Sequence, residues 1–147
     1  MSFLDSLKAG MEKANAADKK LNQVSELLTQ LSKEISDFSD MPIKISRATS
    51  VIGHSKMISE ALNSNFIREY FTDDRLLLVN VLKNHEMEIA KWRQHLSGYP
   101  CILGFEGGEY VCMNIEDLES AFHILLSSIE FAKALKKITN PNLVKKK

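Results

Sequence analysis

The chain has 147 residues, 44% of them hydrophobic and 26% charged, with nineteen basic and nineteen acidic side chains in balance. A chain of this size buries roughly 70% of the surface its unfolded form exposes, so one core suffices without staples. Balanced charge disfavours nucleic-acid binding by bulk electrostatics, and two cysteines, Cys101 and Cys112, are too few for a disulfide framework or a zinc finger.

Residues 3–38 contain no proline and carry an apolar seam at Leu4, Leu7, Met11, Ala14, Leu21, Val24, Leu28, Leu31, Ile35 and Phe38. The steps alternate mostly between three and four, the spacing of a coiled-coil seam. Asp18 fills one seam position, and the extra three-residue step from Leu21 to Val24 reads as a local overwinding or bend. Unbroken, such a helix runs about 54 Å at 1.5 Å per residue, whereas a globule of this length is roughly 38 Å across. The helix must therefore bend near Gly10 or Asn15–Asp18, project as an arm, or pair with a second chain.

Ser36 to Pro42 ends that helix, and Ile43-Lys44-Ile45-Ser46 alternates as a short strand would. Ser55 to Phe71 reads as a helix. Leu76 to Leu82 alone suits a buried strand or a buried helix. The longer pattern Leu78, Val81, Leu82, His85, Ile89, Trp92, Leu96 follows one helical face, behind an N-terminal signal at Thr72-Asp73-Asp74, and predicts a single helix over 72–96. Gly107-Gly108, between Cys101–Phe105 and Glu109–Met113, signals a hairpin. A turn centred on the two glycines sets Phe105 opposite Tyr110 and Leu103 opposite Cys112. Cys101 and Cys112 then lie diagonally, beyond comfortable disulfide reach. Asn114 caps a last helix with Asp117 at its third position. Its stripe is Leu118, Ala121, Phe122, Leu125, Ile129, Ala132, Leu135 and Ile138, and Asn140-Pro141 stops it.

The expected architecture is α+β and predominantly helical. It has about four helices, the first of them long and amphipathic, one β-hairpin near 101–113 and a third short strand near 43–46. Residues 1–40 form an arm or oligomerisation element, 41–140 a compact domain, and 141–147 a basic tail.

Most chemical motifs fail on spacing. Gly53-His54-Ser55-Lys56 lacks the second glycine of a nucleophile elbow, and neighbours on a helix do not face each other. His85-Glu86-Met87-Glu88 lacks the second histidine of a zinc-protease helix, and Leu82 and Trp92 stand where a Glu-x-x-His pair needs glutamates. Glu116, Glu119 and His123 share a stripe opposite the apolar one and read as a solvated face. There is no glycine-rich phosphate loop. Residues 48–62 have a helix-turn-helix flavour, but His54 and Ser59 occupy positions that need apolar packing. No cofactor, metal ligand or catalytic residue is assigned.

A basic n-region and an apolar core are missing at the N-terminus, and Leu76–Leu82 falls far short of the ~20 residues that span a bilayer. The expectation is a cytoplasmic chain. Phe3, Leu4, Leu7 and Met11 form one helical face, but Lys8 and Lys13 are offset by Asp5 and Glu12, which disfavours membrane-surface binding.

What is left is the long helix. The reading it supports is a non-enzymatic protein–protein interaction module, of the inhibitor, immunity-type or adaptor kind. It self-associates as a homo-oligomer, or meets a protein partner, through Leu4, Leu7, Met11, Leu21, Val24, Leu28, Leu31, Ile35 and Phe38. The alternatives are a small enzyme built around Cys101, Cys112, Tyr110 and a histidine, and a DNA-binding or membrane-surface protein.

Overall fold

The computed structural model describes residues 2–49 and 74–140. Helix α1 (Phe3–Ser39) is one unbroken helix. Ser2 starts it with a capping box: its hydroxyl accepts from the Asp5 N–H at 3.2 Å and its own N–H donates to the Asp5 carboxylate at 3.5 Å. Asp40, in the left-handed region at φ 58°, ends it.

Five strands follow: β1 (Ile43–Thr49), β2 (Asp74–Asn80), β3 (His85–Gln94), β4 (Cys101–Phe105) and β5 (Gly108–Cys112). They form one antiparallel sheet in chain order. Two helices close the chain, α2 (Ile115–Leu126) and α3 (Ile129–Thr139). Alternation puts Ile43, Ile45, Leu76, Leu78, Trp92, Leu103 and Cys112 on one face, where the C-terminal half of α1 packs together with α2 and α3. Trp92 and Phe122 are buried at the centre, stacked 6.5 Å apart.

The sheet corrects the expected fold: the described residues hold three helices and five strands, not four helices and one hairpin. The single helix predicted over 72–96 is instead β2, a turn at 81–84 and β3. Leu77 is buried on the face opposite Leu76 and Leu78, so β2 shows no alternation. The register shift between Leu76 and Leu77 leaves Ile89 of β3 as an extra residue packed against the core, three positions before the inward Trp92, and that step imitates helical spacing. The predicted last helix is two helices. Ser128 interrupts it, its hydroxyl accepting from the Phe131 N–H at 3.1 Å as the N-cap of α3. The short strand near 43–46 is present and extends to Thr49, and Asn114 caps α2 as expected, accepting from the Asp117 N–H at 2.8 Å. The helix expected over 55–71, the Gly53–Lys56 motif and nearly all of the helix-turn-helix-like stretch lie outside the described residues.

The hairpin forms one residue away from the predicted place. Its two-residue turn is Glu106-Gly107, both at positive φ (52° and 78°), so Phe105 pairs with Gly108 and Leu103 with Tyr110. Cys101 and Cys112 therefore face each other directly rather than diagonally; both are free and buried.

One contact explains how α1 is held. In β1 the N–H groups of Ile43 and Ile45 point away from β2, toward α1. The Ser36 hydroxyl accepts from the Ile43 N–H at 2.9 Å and donates to the Ile43 carbonyl at 2.6 Å. The Ser32 hydroxyl accepts from the Ile45 N–H at 2.9 Å and donates to the Leu28 carbonyl at 2.8 Å. Over Ile43–Ile45, hydroxyls on the helix thus take the place of a sixth strand.

Candidate interaction surface

The nine residues expected to form one seam divide into two groups. Val24, Leu28, Leu31 and Ile35 are buried against the sheet, joined by Leu27, and Leu21 is half-buried. Leu4, Leu7 and Met11 are 59%, 67% and 63% exposed, Phe3 beside them is 91% exposed, and Phe38 at the far end of the helix is 83% exposed. Residues 3–20 therefore form an arm about 27 Å long at 1.5 Å per residue.

The split follows from helical geometry. At about 100° per residue, the arm seam (Leu4, Leu7, Met11, Ala14, Asp18, Leu21) points about 110° around the axis from the core face (Val24, Leu27, Leu28, Leu31, Ile35). A straight helix cannot present both groups to one sheet. The apolar face of the arm lies on the side of Ser25, Ser32 and Ser36.

The loop after β3 fixes where the arm leaves the body. Gly98, buried at φ +106°, lies so close to the helix that a Cβ would stand 2.4 Å from Lys20 Cβ. The Tyr99 hydroxyl donates to Gln23 Oε1 at 2.7 Å. Gln94, buried, donates to the Gly98 carbonyl at 3.1 Å and accepts from Arg47 at 2.9 Å, and Arg47 also reaches the Ser25 hydroxyl at 3.3 Å. Burial pushes the Tyr99 phenol up to about 12, so its hydroxyl stays a donor across the physiological range. Lys20 to Ser25 are held from two sides, and among the described residues N-terminal to them only Ala17 is half-buried.

A second apolar feature was not visible in the sequence. A groove of about 490 Å³ runs between α1 and the pair α2–α3, walled by Leu27, Leu31, Ile35, Leu126, Phe131 and Leu135, with Glu34, Glu119 and His123 on its walls as well. Its α1 wall lies on the far side of the helix from the arm's seam. Glu119 and His123, expected on a solvated face, are exposed but border this groove. The signal that could have found it is the pair of stripes on α2 and α3, which reads as continuous until the break at Ser127-Ser128 is recognised.

The cysteines have the chemistry of core residues. Burial pushes the Cys101 thiol up to about 12 and the Cys112 thiol up to about 11. They donate to backbone carbonyls, Cys101 to Gly98 at 3.2 Å and Cys112 to Tyr110 at 3.7 Å. That environment disfavours the thiolate a nucleophile needs. Among the described residues no group of three or more His, Cys, Asp or Glu side chains is arranged to hold a metal ion, and no helix is long and apolar enough to cross a membrane. Comparison with protein-family models, with curated proteins and with solved structures gives no match for this chain.

Proposed function

We propose that the chain is a non-enzymatic protein–protein interaction module whose contact element is the free half of α1. The observation that carries this reading is the stripe Phe3, Leu4, Leu7 and Met11, four large apolar side chains 59–91% exposed on the capped first turns of an unbroken helix. Contiguous apolar surface of this kind on a soluble chain marks an interaction site. The C-terminal half of the same helix is built into the core, so a load on the arm is transmitted to a clamped base rather than to a flexible tether.

The test compares the wild-type chain with the double variant Leu7→Glu, Met11→Glu. Both substitutions sit on exposed positions, so folding should be retained, as circular dichroism and the thermal midpoint would check. Sedimentation and affinity capture should then show an association, with itself or with a stoichiometric protein, that the variant loses. Equal behaviour of the two chains in both measurements would refute the reading.

A further inference from the structure

We infer that the arm's occupant is the arm of a second copy of this chain, laid antiparallel, with Asp18 of each copy against Lys8 of the other. The inference rests on the interaction-module reading and deepens it by naming partner and register.

The seam of the arm contains one charge. Leu4, Leu7, Met11, Ala14 and Leu21 are apolar or small, and Asp18 interrupts them. In a parallel pair each seam position meets its own copy, so two Asp18 carboxylates would face each other within an apolar seam, at a steep electrostatic cost. In an antiparallel pair, position a of one helix lies level with position d of the other. One register uses every seam residue of both arms: Leu4 with Leu21, Leu7 with Asp18, and Met11 with Ala14. The two-fold axis passes between residues 12 and 13, and large Met11 fills the space left by small Ala14 on each side of it.

This register also resolves Asp18. It brings that carboxylate level with Leu7 and next to Lys8 of the second copy, twice by symmetry. Among the described residues the one ion pair is Arg75–Glu88, and neither Lys8 nor Asp18 pairs with another of them. The overlap also matches the space available. The second copy's Phe3 reaches the level of Asn22, one turn short of Ser25, where Arg47 of the body reaches the same side of the helix. Both arms are used over their full free length. A lipid surface fits less well, because Lys8 and Lys13 are offset by Asp5 and Glu12 and the polar face carries no basic excess.

Sedimentation equilibrium of the full chain, with Lys8→Asp, Asp18→Lys and the double exchange, tests this. The wild type should form a dimer. Each single variant sets like charges together twice and should weaken the dimer about tenfold, whereas the double exchange should return to within about threefold of wild type. Helix content by circular dichroism should be the same in all four. A wild type that stays monomeric to about 100 µM overturns the inference. In that case, arm-dependent capture of a different protein would leave the interaction-module reading standing, and arm-dependent binding to phosphatidylglycerol vesicles would replace both. A dimer that the double exchange fails to restore overturns the antiparallel register.

Discussion

Replacing Ser32 by alanine removes the acceptor of the Ile45 N–H, a bond of 2.9 Å to the hydroxyl of a helix residue thirteen positions away. Ile45 is buried, so water cannot easily take over. Leaving a buried donor unpaired costs about 1–3 kcal/mol. The exchange also recovers about 0.5 kcal/mol, because alanine is the better helix former. The hydroxyl's own bond to the Leu28 carbonyl at 2.8 Å is a local one within the helix, and its loss is minor because that carbonyl sits in the helical ladder. The net expectation is a loss of about 1–2 kcal/mol. Thr29→Ala is the control: its hydroxyl bonds only back to the Ser25 carbonyl at 3.0 Å on the exposed side, so it should be neutral or slightly stabilising. Urea titration reads both, with a midpoint about 0.5–1 M lower for Ser32→Ala at unchanged slope. Amide exchange at Ile45 should also accelerate selectively. If Ser32→Ala and Thr29→Ala unfold at the same urea concentration, the idea that hydroxyls close the edge of β1 is wrong.

Three further outcomes follow from the packing. Gly98→Ala combines a positive φ with a Cβ 2.4 Å from Lys20 Cβ, and should cost about 2 kcal/mol or more, lowering the thermal midpoint by roughly 4–8 °C; an unchanged midpoint would mean that the loop does not clamp the helix. The indole N–H of Trp92 is buried without an acceptor among the described residues, so Trp92→Phe should cost less than about 2 kcal/mol where Trp92→Ala costs about 3–5, as calorimetry would show; equal losses would indicate that the indole nitrogen is satisfied after all. Cys101 and Cys112 should resist an aromatic disulfide reagent at pH 8 until the chain is denatured, and rapid stoichiometric labelling of the native protein would contradict their burial. Folding holds these thiol protons more tightly than the ordinary value of 9, so the associated stability is complete below about pH 9 and lost as pH rises through 11 to 12.

Legibility varied with how local the signal was. The long helix, its end near Pro42, the strand at Ile43 and the Asn114 cap each depend on residues within a few positions of one another, and each is present. The hairpin was visible, but its register was not. Gly107-Gly108 offers two glycines for the turn, whereas the chain uses Glu106-Gly107 with Glu106 at positive φ, and the Phe105 and Tyr110 rings stack diagonally at 4.8 Å. The β2–β3 hairpin was concealed by tertiary structure. Burial of Leu77 on the second face erases the alternation, the irregularity in β3 supplies a false helical step, and the turn between them exposes Val81 and Leu82 where polar residues would have marked it. Asn84, at φ 55°, and Asn80, whose Oδ1 accepts from the Lys83 N–H at 3.1 Å, keep the residue type a turn prefers. For the interaction surface, the seam showed which residues of the long helix are apolar. It did not show which half the sheet would claim, because that depends on where the axis crosses β1.

The serine contacts along β1 also determine how far this sheet can grow. Joining sheets edge to edge into an endless ribbon requires each molecule to offer two open edges, one to give and one to receive. Here Ser32 and Ser36 occupy both outward groups of Ile43 and the N–H of Ile45, at the start of β1, whereas β5 forms the other edge of the described sheet. An edge occupied where it begins offers a further copy no continuous open strand there. Two hydroxyls on a helix thus act as a partial terminator, covering the start of β1.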